Sequence, residues 1–315
     1  MKKIIIHNVK KIAKIVITVI LVYVLVRNVD WTLVFDDIVH AKWQYIVLFI
    51  IFYVCGLCIS ALKWSKIAKH DNFTQSYSFY LKIYLAGTFV NNFLPSTIGG
   101  DAYRIYQLGK KDSRLRDSSA TVFTDRASGL SVLIFLAAML SLINYSLLSE
   151  YTVIQMLIII VFCSLCADIF FITFFHHRFI QKIFNILPRV IRDYGEKISQ
   201  FRDRSVMISA IVYSTVFSFM GIAFAHYMLF MALNIQLSLL DFVSVIFLTN
   251  VISSIPISVG NIGTKEWAYI LLFGVFGVAN SSVVAVVLLS RFLQMCISCL
   301  AIPYYMKNKG TSSQK

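Results

Sequence analysis

Asn91-Asn92-Phe93-Leu94-Pro95-Ser96-Thr97-Ile98-Gly99-Gly100-Asp101-Ala102-Tyr103-Arg104 closes the apolar run Tyr77 to Leu94 and decides how the chain must fold. A proline, two glycines, an aspartate and an arginine stand where a bilayer crossing should finish. Proline and glycine break the helix and free backbone groups that lipid cannot satisfy, so this backbone must be buried in protein or line a wet cavity. A second such stretch lies in the other half: Ser254-Ile255-Pro256-Ile257-Ser258-Val259-Gly260-Asn261-Ile262-Gly263-Thr264-Lys265-Glu266. Both read apolar-Pro-x-(Ser/Thr)-x-Gly, and both end in charged residues. Two helix-ending loops at the membrane surface are the plainer alternative. Two broken hydrophobic segments in corresponding halves, however, are the sequence pointer to a transporter's binding site.

Composition sets the class. Of 315 residues, 58% are hydrophobic and 15% aromatic, and no run is long enough for a separate soluble domain. The chain therefore reads as one integral membrane domain over 1–315. The net charge of +14 does not point to nucleic acid. The Lys and Arg sit in short loops between apolar spans, as the positive-inside rule requires, where they can also attract anionic headgroups. The six cysteines form three C-x-x-C pairs, Cys55/Cys58, Cys163/Cys166 and Cys296/Cys299. Each pair lies inside an apolar run without an adjacent His or charge. They read as small buried hydrophobes rather than metal or redox sites.

The side of each loop follows from its charge. Lys2, Lys3, Lys10, Lys11 and Lys14 precede a first span, Ile15 to Val26, and place the N-terminus in the cytoplasm. Arg27-Asn28-Val29-Asp30 follows in place of a small-residue cleavage site, so the span reads as uncleaved. The loop with Asp30, Asp36 and Asp37 suits the outside, and Trp31 and Trp43 suit the interface. Span two, Tyr45 to Leu62, returns to a basic loop with Lys63, Lys66 and Lys69. From there the chain enters the first broken segment and emerges at Arg104, Lys110, Lys111, Arg114 and Arg116, which are basic again. A segment with both ends on one side is re-entrant. Spans three (Ser118 to Ile143) and four (Thr152 to Phe175) follow, then the basic stretch 176–205. Its apolar residues recur at helical spacing, which predicts amphipathic helices lying on the membrane or covering the protein. Span five, Val206 to Leu233, leads into the second broken segment, and the last span, Ser282 to Met306, ends at Lys307 and Lys309. The second hairpin then dips from the opposite face, and the C-terminus is cytoplasmic.

The expected fold is thus all-α and polytopic, with about six full transmembrane helices and two oppositely oriented re-entrant hairpins in an inverted repeat. Repeat one covers about 45–143 and repeat two about 206–306. Charge spacing supports the repeat. Asp101 stands as far before Arg126 as Glu266 stands before Arg291. Ionisable residues inside spans are costly and are functional candidates by default. Arg126 and Arg291, with Lys265 and Arg104, offer a cationic site for a phosphate-bearing headgroup. Gly99, Gly100, Gly260 and Gly263, beside Pro95 and Pro256, allow close backbone approach, and the helix starts after each break offer N–H groups to an anion. Asp101 and Glu266 either hold the cations or load protons. The competing structural reading ties Asp125 to Arg126 and Lys265 to Glu266 as pairs. His226 reads as a hydrogen-bonded packing residue, and Asn91 and Asn92 as caps or lining of the first hairpin.

At these residues the sequence resembles the flippase-like membrane domain of lysylphosphatidylglycerol synthases and its stand-alone relatives. The resemblance rests on Leu94 to Arg104, on Asp125-Arg126 and on Ile255 to Glu266, and covers nearly the whole chain. Asn261 stands where relatives carry glycine, and Lys265 where arginine is common. The resemblance implies a prokaryotic cytoplasmic-membrane protein that handles lipids, here the translocating part without the synthase's catalytic domain.

The leading expectation is a lipid translocator, a flippase or scramblase, for an anionic phospholipid or a polyprenyl-phosphate-linked lipid. No Gly-x-x-x-x-Gly-Lys-(Ser/Thr) loop is present for direct ATP use, and no metal-ligand cluster or base-paired nucleophile stands out, so neither cofactor nor catalysis is expected. The alternatives are an enzyme acting on lipid headgroups, with Asp101 or Glu266 as acid–base groups, or a non-transporting scaffold for envelope-biosynthesis enzymes.

Overall fold

The computed structural model describes residues 2–93, 99–110, 114–174 and 204–310. Among these the chain is helical throughout, without strands. The expected linker 176–205 lies outside the described residues except for its last two positions, and Pro95 at the first hairpin's tip also lies outside them.

Helix α1 (Lys2–Asn28) and the short α2 (Trp31–Val39) meet at a bend of 81°. The acidic loop expected here is thus largely helical, with Asp30 as cap: its carboxylate accepts from the Thr32 and Leu33 amides. Helix α3 (Trp43–His70) is longer than the span predicted from hydropathy. Trp64, Ile67 and Ala68 are fully buried and continue the helical period past Leu62. Asn72, at φ 60°, turns the chain after the helix, a conformation that Asn tolerates better than most residues.

The first hairpin is α4 (Tyr77–Phe93) followed by α5 (Gly99–Gly109). Its arms touch: a Cβ on Gly100 would lie 2.1 Å from the Gly87 carbonyl oxygen, so only glycine fits there. Helix α6 (Leu115–Ser141) follows, then a 3₁₀ turn, α7 (Tyr145–Ser149) and α8 (Thr152–Phe174). After the linker come α9 (Arg204–Phe217), a π-helical turn (Ser218–Phe224) and α10 (Ala225–Ala232), which together make up span five. The second hairpin is α11 (Leu239–Ser254), a break holding a 3₁₀ turn at Val259–Asn261, and α12 (Thr264–Gly274). Helix α13 (Asn280–Cys299) and α14 (Ile302–Gly310) split the last expected span, with Pro303 in the first turn of α14.

Among the described residues four helical stretches are long and apolar enough to cross a membrane, and five if the bent α1–α2 pair counts as one span. The described apolar part of α8 is shorter. The outward faces carry exposed Val19, Tyr23, Met156, Ile160 and Phe292, a surface that lipid covers and water would not. The core is aromatic. Phe230 lies 4.6 Å from Phe273 and 5.1 Å from Phe242, ring centroid to centroid, pinning the second hairpin to α10. In the first half, Trp64 meets Tyr80 edge-on at 4.9 Å, beside buried Phe73, Ile83 and Leu108. The cysteines correct the sequence reading. All six are free, and none is buried: Cys163, Cys166 and Cys296 are exposed and the others partly so. They belong to the outer apolar surface rather than to the core.

Candidate functional site

In the first half, the hairpin's second arm is wired to the helices around it. Arg104, on α5, is only 2% exposed. Its Nη2 donates to Asp125 Oδ2 at 2.6 Å and its Nη1 to Asp101 Oδ1 at 3.3 Å. The guanidinium also lies over the rings of Trp64 (4.2 Å to the centroid) and Tyr84 (4.5 Å), so its charge is held by π faces as well as by carboxylates. Asp125, on α6, has a second cation. Lys63 Nζ stands 3.1 Å from its Oδ1 and donates to its backbone carbonyl at 2.8 Å and to the Ser214 hydroxyl at 3.1 Å. Arg126 points elsewhere. It is 51% exposed and grips Asp101 through Nε, at 3.0 and 2.9 Å, and Nη2, at 2.9 Å. That two-pronged grip ties α6 to the start of α5.

The second half repeats the device. Arg291, on α13, donates from Nε to Glu266 Oε1 at 2.8 Å, across the same 25-residue spacing that separates Asp101 from Arg126. Its other nitrogens hold the break itself, donating to the carbonyls of Gly260 (3.2 Å) and Asn261 (2.7 Å). Glu266 reaches back to accept the Gly263 amide at 2.7 Å, capping α12. Gly263, at φ 84°, also faces helix α1, where a Cβ would lie 2.6 Å from Leu21 Cβ. Asn261 sits at φ 57°, in the left-handed region that asparagine enters more readily than most residues. Its side-chain amide donates to the Ser253 carbonyl. Lys265 donates to the Ser290 hydroxyl at 3.4 Å and lies 5.7 Å from the Tyr269 ring centroid.

The predicted residues thus fall into two clusters. Asp101, Arg104, Asp125 and Arg126 form one, with Gly99 and Gly100 at its edge. Glu266, Arg291, Gly260 and Gly263 form the other, with Lys265 alongside and Pro256 exposed at the tip. Among the described residues no ion pair joins the clusters. The halves meet through other contacts, among them Asn92, on α4, donating to Ser298 on α13 at 3.1 Å and Lys63 donating to Ser214 on α9 at 3.1 Å. The competing pairing of sequence neighbours is corrected: Asp125 pairs with Arg104 and Lys63, not Arg126, and Glu266 pairs with Arg291, not Lys265. Two amides expected to face an anion are also taken, Gly100 by Asn91 Oδ1 at 2.7 Å and Gly263 by Glu266. His226 donates from Nδ1 to the Ile222 carbonyl at 2.9 Å and packs edge-on against Phe49. Lys63 was missed, because the sequence reading put it in a basic loop. The signal was the apolar period running on through Trp64, Ile67 and Ala68.

These features define a class: an all-α polytopic membrane protein in which each half ties a broken, folded-back helix to the next helix by an acid–arginine pair. Within that class, the chain belongs to the family of the lysylphosphatidylglycerol synthase TM region, whose profile matches residues 11–301. It is similar to archaeal UPF0104 membrane proteins. The relative from Methanothermobacter thermautotrophicus is 23% identical over 86% of this chain and 88% of its own length. That from Methanocaldococcus jannaschii is 23% identical over 81% and 82%, and that from Pyrococcus horikoshii 24% over 92% and 95%. No solved structure matches the chain.

Proposed function

We propose that this protein is a lipid translocator, a flippase or scramblase that carries an anionic phospholipid or polyprenyl-phosphate-linked lipid across the cytoplasmic membrane of a prokaryote. It works without catalysis, and both termini face the cytoplasm. One observation carries the reading: the matched latches Asp101–Arg126 and Glu266–Arg291, each fixing a broken helix against the helix that follows. Broken helices of this kind, set in two halves of opposite orientation, are how many secondary transporters build a polar path through lipid. On this reading the headgroup passes between the hairpins while the tails stay in the bilayer. Arg126 is the exposed cation of the first cluster. Its Nη1 makes no hydrogen bond among the described residues and is the donor offered to the headgroup. Arg104 stands behind it, and Lys265 and Arg291 are the cations of the second half.

The test is translocation in reconstituted vesicles. Phosphatidylglycerol with a fluorescent tail-end label is placed in both leaflets, and a membrane-impermeant quencher reads the outer pool with time. The wild type should drain the inner pool faster than protein-free vesicles. Arg126→Ala should slow it, and Arg126→Lys should keep part of the rate, since the charge stays and the fork of donors is lost. A wild type no faster than empty vesicles for phosphatidylglycerol and for a polyprenyl phosphate alike would remove the translocator reading.

A further inference from the structure

The two halves differ in how their charges are compensated. In the first half each cation of the cluster touches a carboxylate: Lys63 and Arg104 meet Asp125, and Arg126 meets Asp101. In the second half Arg291 takes Glu266. Lys265 has no carboxylate within ion-pair distance among the described residues. Its ammonium has one long hydrogen bond, to the Ser290 hydroxyl at 3.4 Å. That hydroxyl spends its own proton on the Val287 carbonyl at 2.7 Å, so it offers Lys265 a lone pair and no charge.

Aligning the halves on their acid–arginine pairs gives the reason. The residue just before Arg126 is Asp125, and the residue just before Arg291 is Ser290. The carboxylate that neutralises the first half is a hydroxyl in the second. One turn beyond Asp101 stands Arg104, and one turn beyond Glu266 stands Tyr269. The Tyr269 hydroxyl is buried beside Thr249 and Asn250 and makes no hydrogen bond of good geometry among the described residues. The buried His226 ring lies 6.3 Å from the Tyr269 ring, centroid to centroid. With Nδ1 donating to Ile222, its Nε2 is a second buried polar atom without a partner. Buried polar groups are costly unless paired, and a membrane-embedded ammonium more so. Lys265 and the Tyr269 hydroxyl fit a small anion entering from outside the chain, whereas the His226 Nε2 is a lone-pair acceptor that takes no part in holding it.

We propose that the second half binds one phosphate monoanion on Lys265, with the Tyr269 hydroxyl donating to it, so that the ligand's phosphate takes the place filled in the first half by the Asp125 carboxylate. The buried Lys63, Arg104 and Asp125 are thereby self-neutralised scaffold and the second half is the loading site, while the exposed Arg126 of the first half meets the headgroup in transit. This deepens the translocator reading and rests on it only for the source of the phosphate, a lipid headgroup.

The experiment measures binding to the purified full chain in a neutral detergent. The probes are phosphatidylglycerol, with zwitterionic phosphatidylcholine as control, and inorganic phosphate, the lipids read by native mass spectrometry and phosphate by calorimetry. Lys265→Gln should weaken phosphatidylglycerol binding by about tenfold or more, the size of one lost charge-assisted contact. Ser290→Asp, which supplies Lys265 with the carboxylate that the first half has, should do the same. Size-exclusion profile and circular dichroism establish that the variants are folded. Should Ser290→Asp fail to fold, Lys265→Gln decides alone. A folded Lys265→Gln that binds both probes like the wild type overturns the inference, as does a wild type that binds neither. Lysine-dependent binding of inorganic phosphate without phosphatidylglycerol keeps the anion site and removes the lipid as its source.

Discussion

Replacing Asp125 by asparagine leaves Lys63 and Arg104 buried in an apolar bundle without the carboxylate both of them touch. The contacts are 2.6 Å to Arg104 and 3.1 Å to Lys63. At an effective dielectric of about 20 each attraction is about 5–6 kcal/mol. Most of that offsets the cost of taking the ions out of water, so the net loss on removing the acid is about 3–5 kcal/mol. Arg104 keeps its two aromatic faces and Asp101, which places the loss mainly on Lys63. The second change, Lys63→Met, follows from this. The double variant Lys63→Met/Asp125→Asn restores the cluster's net charge and should recover most of the stability. The assay is unfolding of the detergent-purified protein, with folded yield by size exclusion. Arg126→Ala is the contrast, since a half-exposed pair is worth at most about 1 kcal/mol. An Asp125→Asn variant as stable as the wild type, or a double variant no better than the single, would refute the reasoning.

Gly100→Ala should destabilise the first hairpin by about 1–3 kcal/mol or more, because its Cβ meets backbone oxygen, whereas Gly274→Ala, with nothing within 4 Å, should be neutral or slightly stabilising; thermal unfolding compares them. Asn261→Gly should be tolerated and Asn261→Ala should cost about 1–2 kcal/mol, since only the former enters φ 57° freely; folded yield reads the difference. Single cysteines at the exposed Lys69 and Lys110, in a background without the native six, should both label from the cytoplasm. Labelling of position 110 from outside would mean that the first hairpin crosses the membrane, and the inverted repeat would be lost.

Much of the architecture is legible along the chain because lipid removes alternatives. Proline and glycine inside an apolar run, as at Pro256 and Gly260, force a break that the bundle must shelter, and basic loops on both sides of one segment leave re-entry as the consistent path. The equal spacing of Asp101–Arg126 and Glu266–Arg291 was visible too, and in space each proves to be a direct ion pair. The pairing of sequence neighbours was a misreading that helix geometry already argues against: adjacent residues point about 100° apart and do not face each other. Asp125 therefore turns into the bundle while Arg126 turns out toward Asp101. What the sequence could not supply is which distant groups wait there. A hydropathy count ends span two at the first lysine. Whether Lys63 lies in water or in the core depends on Asp125 on α6 and Ser214 on α9, both far along the chain. The same holds for Lys265, whose distinction is the serine it faces where the other half has an acid. Sequence by itself determined the membrane class, the breaks and the charges. Only the tertiary structure decided which charges cancel, because a buried ion's partner is set by packing between helices and not by distance along the chain.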